Sequence, residues 1–341
     1  MAHSNPWHHI EAVARPALAL APRTYLDDIR AGLVADDIPA AVAVGDTPWI
    51  FGGLIGAAQM QGISDANAAA YTAKHGLVGW HDIVATLDAG LPCPRLRSYW
   101  HFDDCRYRKG AGSCMQPDHF GSCSLPTHPT RKGSLIIAAY ALALFVRDVC
   151  DGDLIGWFDK RLADADPGPG APDRAVAMGA ALLGPLREVY GIGEKVWSMA
   201  LADLLLAADP GRERWVTAGA AMVVIDTLLH NFMHRTGTLR RFGAEHPYGP
   251  RCYAPGGCAD LIRGLAARID ARAFNLAFPA CFPRFVQFAV WRLCSTSELN
   301  VCNGLRIDDR RRCENVTCPA YRDCDRVALR NISPAHVKRL S

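Results

Sequence analysis

The sequence has 341 residues, half of them apolar, and a formal net charge of +3. This length is enough for two packed domains, whereas so small a charge does not argue for a nucleic-acid partner by itself. The first ten residues lack the pattern of a secretory signal, and the most apolar run, Leu135 to Val146, is too short to cross a bilayer. We therefore expect a cytoplasmic protein with no membrane association. Its 13 cysteines are expected to be thiols or metal ligands rather than disulfides.

Long segments rich in Ala and Leu, with helical spacing, dominate the chain, so the predicted fold class is mainly α. Ser64 is typical of a residue that starts a helix and Gly76 of one that ends it, and these two residues bound the predicted helix Ser64–Lys74. Two stretches break the pattern: residues 92–132 are rich in Cys, His, Pro and Gly, and residues 164–173 are typical of an exposed loop. The predicted helices are Trp49–Met60, Ser64–Lys74, Ser134–Val149, Arg174–Val189 and Val196–Ala208.

Gly191 and Gly193 lie between two of the predicted helices, directly before Lys195. Two glycines one residue apart favour a tight turn that exposes backbone amides at the start of the next helix. Such amides, together with the helix dipole, favour the binding of a phosphate. The alternatives are a plain tight turn for the glycines and a surface position for Lys195.

Asp226 follows the apolar run Met222–Ile225 and precedes another predicted helix, for which Asp is a preferred N-cap. A carboxylate at the edge of buried surface is also poorly solvated, which suits a catalytic group. An amine at Lys195 and a carboxylate at Asp226, brought to one cleft beside a phosphate site, would suit chemistry on a nucleic-acid sugar.

Four cysteines lie close together near the C-terminus, beside a run of three arginines, Arg310–Arg312. Four thiolates on a short irregular segment can hold a tetrahedral zinc ion or a [4Fe–4S] cluster. The arginine run indicates either a nucleic-acid contact or simply a solvated surface. We call these four residues the C-terminal cysteines: Cys302, Cys313, Cys318 and Cys324.

In this order, these elements resemble the helix-hairpin-helix DNA glycosylase superfamily, and within it the endonuclease III branch. The segment Leu186–Lys195 is similar to the family hairpin, whose final lysine is the nucleophile of bifunctional members. The segment Ile225–Gly237 looks like the one that carries the family's catalytic aspartate. Ile55–Ser64 is similar to the segment whose glutamine, here Gln59, fills the gap left by an extruded base. The C-terminal cysteines correspond to the family's iron–sulfur ligands.

The resemblance implies a two-domain helix-hairpin-helix glycosylase fold with a C-terminal loop that holds a Cys-ligated metal cluster. Residues 1–45 would form an N-terminal segment packed on the C-terminal domain. Residues 46–220 would form a helical barrel domain, with the hairpin at 186–208 and the Cys/His-rich insertion at 92–132. Residues 221–341 would form the iron–sulfur domain.

The implied function is a DNA N-glycosylase that flips and excises a damaged or modified base, with AP-lyase activity through a lysine imine. Lys195 and Asp226 would be catalytic, and Gln59, Gly191 and Gly193 would contact the DNA. The implied cofactor is a [4Fe–4S] cluster, and the implied partner is duplex DNA bound by a monomer, on the nucleoid if the cell is bacterial. The alternatives are a monofunctional enzyme in which Asp226 activates water, a non-catalytic metal-stabilised nucleic-acid binding module, and a glycosylase acting on RNA or nucleosides.

The sequence departs from the family pattern at several places. The first three C-terminal cysteines are more widely spaced than in the family, which keeps zinc as an alternative occupant. The interval between Lys195 and Asp226 is longer, and we expect residues 207–218 to hold the extra length as a surface loop. Leu228 and Asn231 stand where the family has a histidine and a basic residue.

The remaining cysteines and histidines suggest further hypotheses. Cys105, Cys114 and Cys123 in the insertion could form a second metal site, with zinc as its ion. His230 and His234 lie four apart on one helical face and could ligate a metal, with packing or hydrogen bonding as the favoured alternative. The other cysteines form two groups: one flanks a Pro-Gly-Gly turn, and the other is typical of thiols buried in a core. The first group is Cys252 and Cys258, and the second is Cys93, Cys150, Cys281 and Cys294.

Overall fold

The structure is a computed structural model that describes residues 5–59, 65–76, 79–90, 93–102, 105, 107–108, 113–114, 125 and 134–329. This part of the chain is mainly helical, which confirms the predicted fold class. Two short strands, β1 (Tyr107–Arg108) and β2 (Ser113–Cys114), pair antiparallel. The α-helices are α1 (Pro6–Ala19), α2 (Tyr25–Ala35), α3 (Ile38–Val44), α4 (Thr47–Gln59), α5 (Asp65–His75), α6 (Trp80–Asp88), α7 (Tyr99–Phe102), α8 (Ser134–Val149), α9 (Leu154–Asp164), α10 (Arg174–Arg187), α11 (Glu194–Ala207), α12 (Glu213–Ala221), α13 (Thr227–Arg235), α14 (Thr238–Arg241), α15 (Cys258–Ala266) and α16 (Pro283–Cys294).

The chain divides into two compact units. Unit 1 combines the chain up to Asp28 with the chain from Ala220 onward, and unit 2 is the continuous stretch between them. Residues 29–45 belong to unit 2, which corrects their assignment to an N-terminal segment that packs on the C-terminal domain. The reason is that α3 packs against α4, with Ile38 buried between them.

The central helix of unit 2 is α8. Every residue from Leu135 to Val146 is at most 6% exposed, and α4, α6 and α7 pack against this helix. A helix that is apolar on all sides is expected to be surrounded by other elements. The longest apolar run of the sequence is therefore core. Within the described ranges, the structure has no helix with both the length and the apolar character needed to cross a membrane.

The predicted helix pair around the glycine turn is confirmed. Helices α10 and α11 pack against each other and are joined by residues 188–193. Gly191 has a φ of +87°, and a Cβ added to it would stand 3.2 Å from the Cβ of Ala138. Only glycine adopts such a backbone without strain, so the turn requires it. Gly193 is the extended N-cap residue of α11.

In unit 1, the first helix packs against the last ones. Helix α1 contacts α14, α15 and α16. The ring of Trp7 meets Phe242 edge-on with centroids 4.7 Å apart, and the guanidinium of Arg268 lies 3.7 Å above its centre. A Cβ added to Gly264 would stand 2.2 Å from Trp7, so glycine makes room for the indole. These contacts bind the start of the chain to the C-terminal half.

The expectation of a surface loop over residues 207–218 is wrong for its second half. Residues 213–218 belong to α12. The cause is Trp215, which is 1% exposed and whose indole N–H donates to Asp159 at 2.6 Å. Burying this ring fixes the segment as a packed helix. The predicted loop before α10 is observed at residues 165–173.

Candidate catalytic and metal-binding groups

Asp226 caps helix α13, as the sequence predicts. Its Oδ1 accepts a hydrogen bond from the backbone N–H of Leu229 at 2.9 Å, and its backbone is extended. The preceding residues, Met222–Ile225, are all buried, whereas the carboxylate of Asp226 is half-buried. The group therefore stands at the boundary between the core of unit 1 and solvent.

Two tyrosines hold the backbone just before Asp226. The hydroxyl of Tyr253 accepts the N–H of Ile225 at 2.9 Å and donates to the carbonyl of the same residue at 3.4 Å. The hydroxyl of Tyr248 donates to that carbonyl as well, at 3.4 Å. Burial, followed by the charge of Asp226, raises the pKa of Tyr248, so this phenol stays a donor. Both tyrosines lie on residues 242–257, which we call the tyrosine loop.

The predicted nucleophile and the predicted DNA-contacting residues lie in unit 2. Lys195 is in the first turn of α11 and is half-buried, directly after the exposed Gly191 and Gly193. Gln59 is the last residue of α4. Because Lys195 belongs to unit 2 and Asp226 to unit 1, their convergence on one sugar stays a prediction.

A buried group of two histidines and two cysteines lies in unit 1. His230 comes from α13, His246 and Cys252 come from the tyrosine loop, and Cys258 is the first residue of α15. Their four ligand atoms all lie within 4.8 Å of one another, and each residue is at most 5% exposed. We call this set the His2Cys2 group, and its composition could bind a metal ion.

Individual distances show how tightly the His2Cys2 group is arranged. Nδ1 of His230 lies 3.4 Å from Sγ of Cys258 and 3.5 Å from Sγ of Cys252, and Nε2 of His246 lies 3.6 Å from Sγ of Cys258. The pKa of Cys252 is lowered, chiefly because Cys258, and then His230, hydrogen bonds to its thiolate. The same contact, together with burial, raises the pKa of Cys258.

Only one member of the predicted pair His230 and His234 belongs to this group. His234 instead donates from Nε2 to the carbonyl of His246 at 2.8 Å. Burial lowers the pKa of His234, which keeps it neutral. The favoured alternative, a hydrogen-bonding role, therefore holds for His234, whereas His230 is a metal-ligand candidate.

The far end of α13 leads to the C-terminal cysteines. The Arg235 guanidinium is 2% exposed and donates to both the carbonyl oxygen and Sγ of Cys302, each at 3.3 Å. It also pairs with Asp309. Sγ of Cys324 donates to the carbonyl of Arg235 at 3.6 Å. The helix that Asp226 caps therefore ends at Arg235, which contacts two of the four C-terminal cysteines.

The C-terminal cysteines also influence one another. Burial raises the pKa of Cys318 and raises that of Cys324 to about 12, and in both cases Cys302 and Cys313 contribute through their charges. The N–H of Arg326 donates to Sγ of Cys324 at 3.3 Å. These thiols do not form a set as tight as the His2Cys2 group, since among the described residues only that group meets the 4.8 Å separation.

The cysteines expected to be buried thiols differ in their surroundings. Cys294 is buried and hydrogen bonds to Cys302, which is the main reason that the pKa of Cys302 is lowered. Cys150 is buried and Cys93 is half-buried. The expectation is wrong for Cys281, which is exposed because it lies in the turn before α16 rather than on the buried face of that helix.

The second metal hypothesis falls partly outside the described residues. Cys114 lies in β2, opposite Tyr107 of β1, and Cys105 is half-buried. Cys123 is outside the described residues, so the proposed set of three stays a prediction.

Sequence reasoning missed His246 and left Cys252 and Cys258 unassigned. A signal was present, because the two cysteines flank a Pro-Gly-Gly turn and follow a helix that carries His230. However, α14 and a loop separate His230 from His246 in the sequence, so no short motif contains all four ligands. Only the packing of the tyrosine loop onto α13 brings them together.

The described residues thus offer three kinds of chemistry. They supply a carboxylate at a helix N-terminus, a lysine after an amide-rich turn, and two distinct sets of metal-ligand side chains. Comparisons of this chain with protein-family models, with curated proteins and with solved structures find no match. These groups are therefore the basis on which a function can be assigned.

Proposed function

We propose that this chain is a DNA N-glycosylase that flips a damaged or modified base out of a duplex, excises it, and cleaves the abasic strand through an imine on Lys195. The observation that carries the proposal is the order of three elements. A glycine turn directly precedes Lys195, Asp226 then caps α13, and the C-terminal cysteines follow at the other end of that helix. Each element supports one requirement of base excision.

The glycine turn would supply a phosphate contact. The first amides of α11 have no partner within the helix and lie at the positive end of its dipole. Gly191 and Gly193 are both exposed, so a phosphate can approach the backbone closely. Such a contact anchors the strand without reading its sequence. Gln59 would then fill the space that the flipped base leaves, since extrusion costs a few kcal/mol of unstacking.

Asp226 would stabilise the positive charge that grows on the sugar as the N-glycosidic bond breaks. Its Oδ1 is engaged by the N–H of Leu229, which fixes the side chain, so we assign Oδ2 to the sugar. A fixed, half-buried carboxylate stabilises a developing cation more strongly than a mobile, fully hydrated one. The same carboxylate would accept a proton from Lys195 as its amine becomes the nucleophile.

Lys195 would carry the covalent step. The neutral amine attacks the anomeric carbon while the base leaves with the electron pair of the glycosidic bond. The attached nitrogen then loses one proton, and its second proton passes to the ring oxygen as the bond between that oxygen and the anomeric carbon breaks, which gives an imine between Nζ and that carbon. Removal of a proton from the neighbouring sugar carbon then expels the 3′ phosphate, which cleaves the strand by β-elimination.

The C-terminal cysteines fit a [4Fe–4S] cluster. They offer four thiols on one irregular segment, an N–H···S hydrogen bond at Cys324 and a buried guanidinium beside Cys302. When bound, the cluster supplies a structural cross-link of this segment and takes no part in bond cleavage. The segment also carries Arg310–Arg312, all exposed, which would meet the DNA backbone. Zinc is the alternative occupant.

Borohydride trapping tests the imine. The full chain is incubated with a duplex that contains an abasic site, and sodium borohydride reduces any imine to a stable adduct. We expect an adduct with the wild type and with Lys160→Ala, a control at an exposed lysine that pairs with Asp164. We expect none with Lys195→Ala. A panel of duplexes with different base lesions then identifies the excised base.

Two other outcomes of the same experiment would replace the proposal. Base release without an adduct would indicate a monofunctional enzyme in which Asp226 activates water. Binding without release of any base in the panel would indicate a non-catalytic, metal-stabilised nucleic-acid binding module. The His2Cys2 group and the exposed arginines would support that second function. RNA duplexes and free nucleosides in the panel separate the substrate classes.

A further inference from the structure

We propose that the His2Cys2 group is a structural zinc site, separate from the C-terminal cysteines, that fixes the tyrosine loop against Ile225 and so positions Asp226. The zinc site itself does not depend on the proposed function. Its four ligand atoms come from three elements of unit 1: α13, the tyrosine loop and α15.

The distances match the edges of a zinc tetrahedron. Bonds of about 2.3 Å to sulfur and about 2.0 Å to nitrogen place neighbouring N and S ligands about 3.5 Å apart. Three of the four N···S separations in this group are 3.4, 3.5 and 3.6 Å, and all four ligand atoms lie within 4.8 Å of one another. The four side chains are therefore already spaced for one tetrahedral ion.

The histidine ring atoms also face the right way. Nδ1 of His246 lies 2.6 Å from the carbonyl of Ala244 and donates to it, which leaves Nε2 as the unprotonated atom that faces Cys258. A second ring N–H held by a carbonyl is the usual support of a metal-bound histidine. Nε2 of His234 also donates a hydrogen bond to the backbone carbonyl of His246, so the main chain of His246 is fixed as well as its ring. His230 faces both thiols with Nδ1.

A bound metal ion would offset the free-energy cost of burying the four side chains of this group. His230 is 3% exposed, His246 is 5% exposed, and both cysteines are fully buried. Polar groups removed from water are costly unless they are well paired, and thiols are only weak hydrogen-bonding partners. Two nitrogens and two sulfurs that lie 3.4–3.6 Å apart suit a single zinc ion, whereas the His2Cys2 set of a Rieske [2Fe–2S] centre divides its nitrogens and sulfurs between two irons.

The metal would close the tyrosine loop. Gly249 and Gly256 in this loop have φ values of +152° and +73°, and a Cβ on Gly257 would stand 2.2 Å from the carbonyl of Arg251. A zinc ion bound to His246 and Cys252 would cross-link this tightly turned loop to α13 and α15. With Cys252 and Cys258 held to His230, the hydroxyls of the loop's two tyrosines reach Ile225, the residue before Asp226.

Metal analysis of the full chain tests the site directly. We expect one zinc per chain, with an X-ray absorption spectrum at the zinc edge that fits two sulfurs at about 2.3 Å and two nitrogens at about 2.0 Å. The zinc should remain in the Cys313→Ala/Cys318→Ala double variant and in Cys150→Ser, a control at a buried thiol of unit 2. It should be lost in His246→Ala and retained in His246→Cys, which keeps a ligand.

Hydrogen exchange tests the consequence for Asp226. After chelation of zinc, or in His246→Ala, amide exchange in residues 222–230 should accelerate at least tenfold, because the Ile225 amide loses its tyrosine partner. Exchange in residues 135–146 should not change. An absence of zinc from the wild type, a zinc coordinated by four sulfurs, or a zinc lost only with the C-terminal cysteines would overturn the proposal. None of these readouts requires DNA or catalysis, so they remain separate from the fate of the proposed function.

Discussion

At the scale of single residues, Asp226 combines two roles that substitutions can separate. Its carboxylate caps α13 through the N–H of Leu229 and, in the proposed reaction, faces the sugar. Asparagine keeps a capping oxygen without the charge, whereas alanine has neither.

We expect Asp226→Asn to retain the stability of the wild type and to lose base release by at least ~100-fold, because a neutral amide cannot stabilise a cation. Asp226→Ala should lose a similar amount of activity and about 1 kcal/mol of stability besides. Denaturant unfolding and single-turnover base release measure the two effects. Equal loss of stability in both variants would contradict the capping role.

Gly191 offers a second test at this scale. Gly191→Ala should destabilise the chain by roughly 1–2 kcal/mol, because the left-handed backbone strains any residue with a Cβ and Ala138 lies in the way. Gly184→Ala, inside α10 and with open space around it, is the matched control and should be neutral or stabilising by up to ~1 kcal/mol. Thermal unfolding compares them. A tolerated Gly191→Ala would show that the turn adopts another path.

At the scale of elements, an ion-pair network holds the loop before α10. Both carboxylate oxygens of Asp166 accept from Arg174, and Arg214 adds a third contact. Arg174 also pairs with Glu213 of α12. One aspartate in an otherwise irregular segment thereby joins two helices, and its hydrogen bonds to Arg174 and to the N–H of Gly168 lower its pKa well below the ordinary value of 3.8.

This network predicts a pH dependence of stability. A carboxyl whose pKa is lower in the folded state stabilises the fold fully above pH 3.8, and the contribution is lost as the pH falls toward the folded-state pKa. The wild type should therefore be more stable than Asp166→Asn near neutral pH, and the difference should shrink below pH 3.8. Urea unfolding of both proteins from neutral pH down to below pH 3.8 measures it. A difference that grows on acidification would contradict the pairing.

How far the sequence predicts these elements depends on the range of the interactions involved. The capping of α13 and the glycine turn before α11 are fixed by neighbouring residues, so they follow from local pattern. Helix α12 could not be recognised in the same way. It depends on the burial of Trp215 against Asp159 and neighbouring residues, which lie far from Trp215 in the sequence. The His2Cys2 group could not be recognised either: its members lie within 28 residues of one another, but they meet only because the tyrosine loop folds back onto α13.

At the scale of the whole molecule, the placement of charge matters more than its total. The net charge is only +3, yet Arg310–Arg312 are all exposed beside the C-terminal cysteines. Arg311 makes one long contact with Asp308, at 3.8 Å, and a surface pair of this kind contributes little. In the proposed function, this local basic surface would contact the DNA although the chain as a whole is nearly neutral.

Salt dependence tests this surface. Changing Arg310, Arg311 and Arg312 to glutamine should weaken DNA binding, and should reduce the slope of log affinity against log salt by up to about 2.7, or about 0.9 for each phosphate that is no longer neutralised. Fluorescence anisotropy from low to moderate salt measures both. Changing the exposed Arg30 to glutamine provides a control in unit 2. An unchanged slope in the triple variant would identify the run as plain solvated surface.

The discontinuous make-up of unit 1 bears on how the protein is made. Helix α1, with Trp7 and His9, leaves the ribosome long before the helices that cover it, because the whole of unit 2 is translated in between. At about 5–20 residues per second, that wait lasts on the order of ten to forty seconds. During this interval the apolar side of α1 has no partner from its own unit, so the nascent chain is an expected client of ribosome-associated chaperones. A circular permutant that begins just after α12 should need them less.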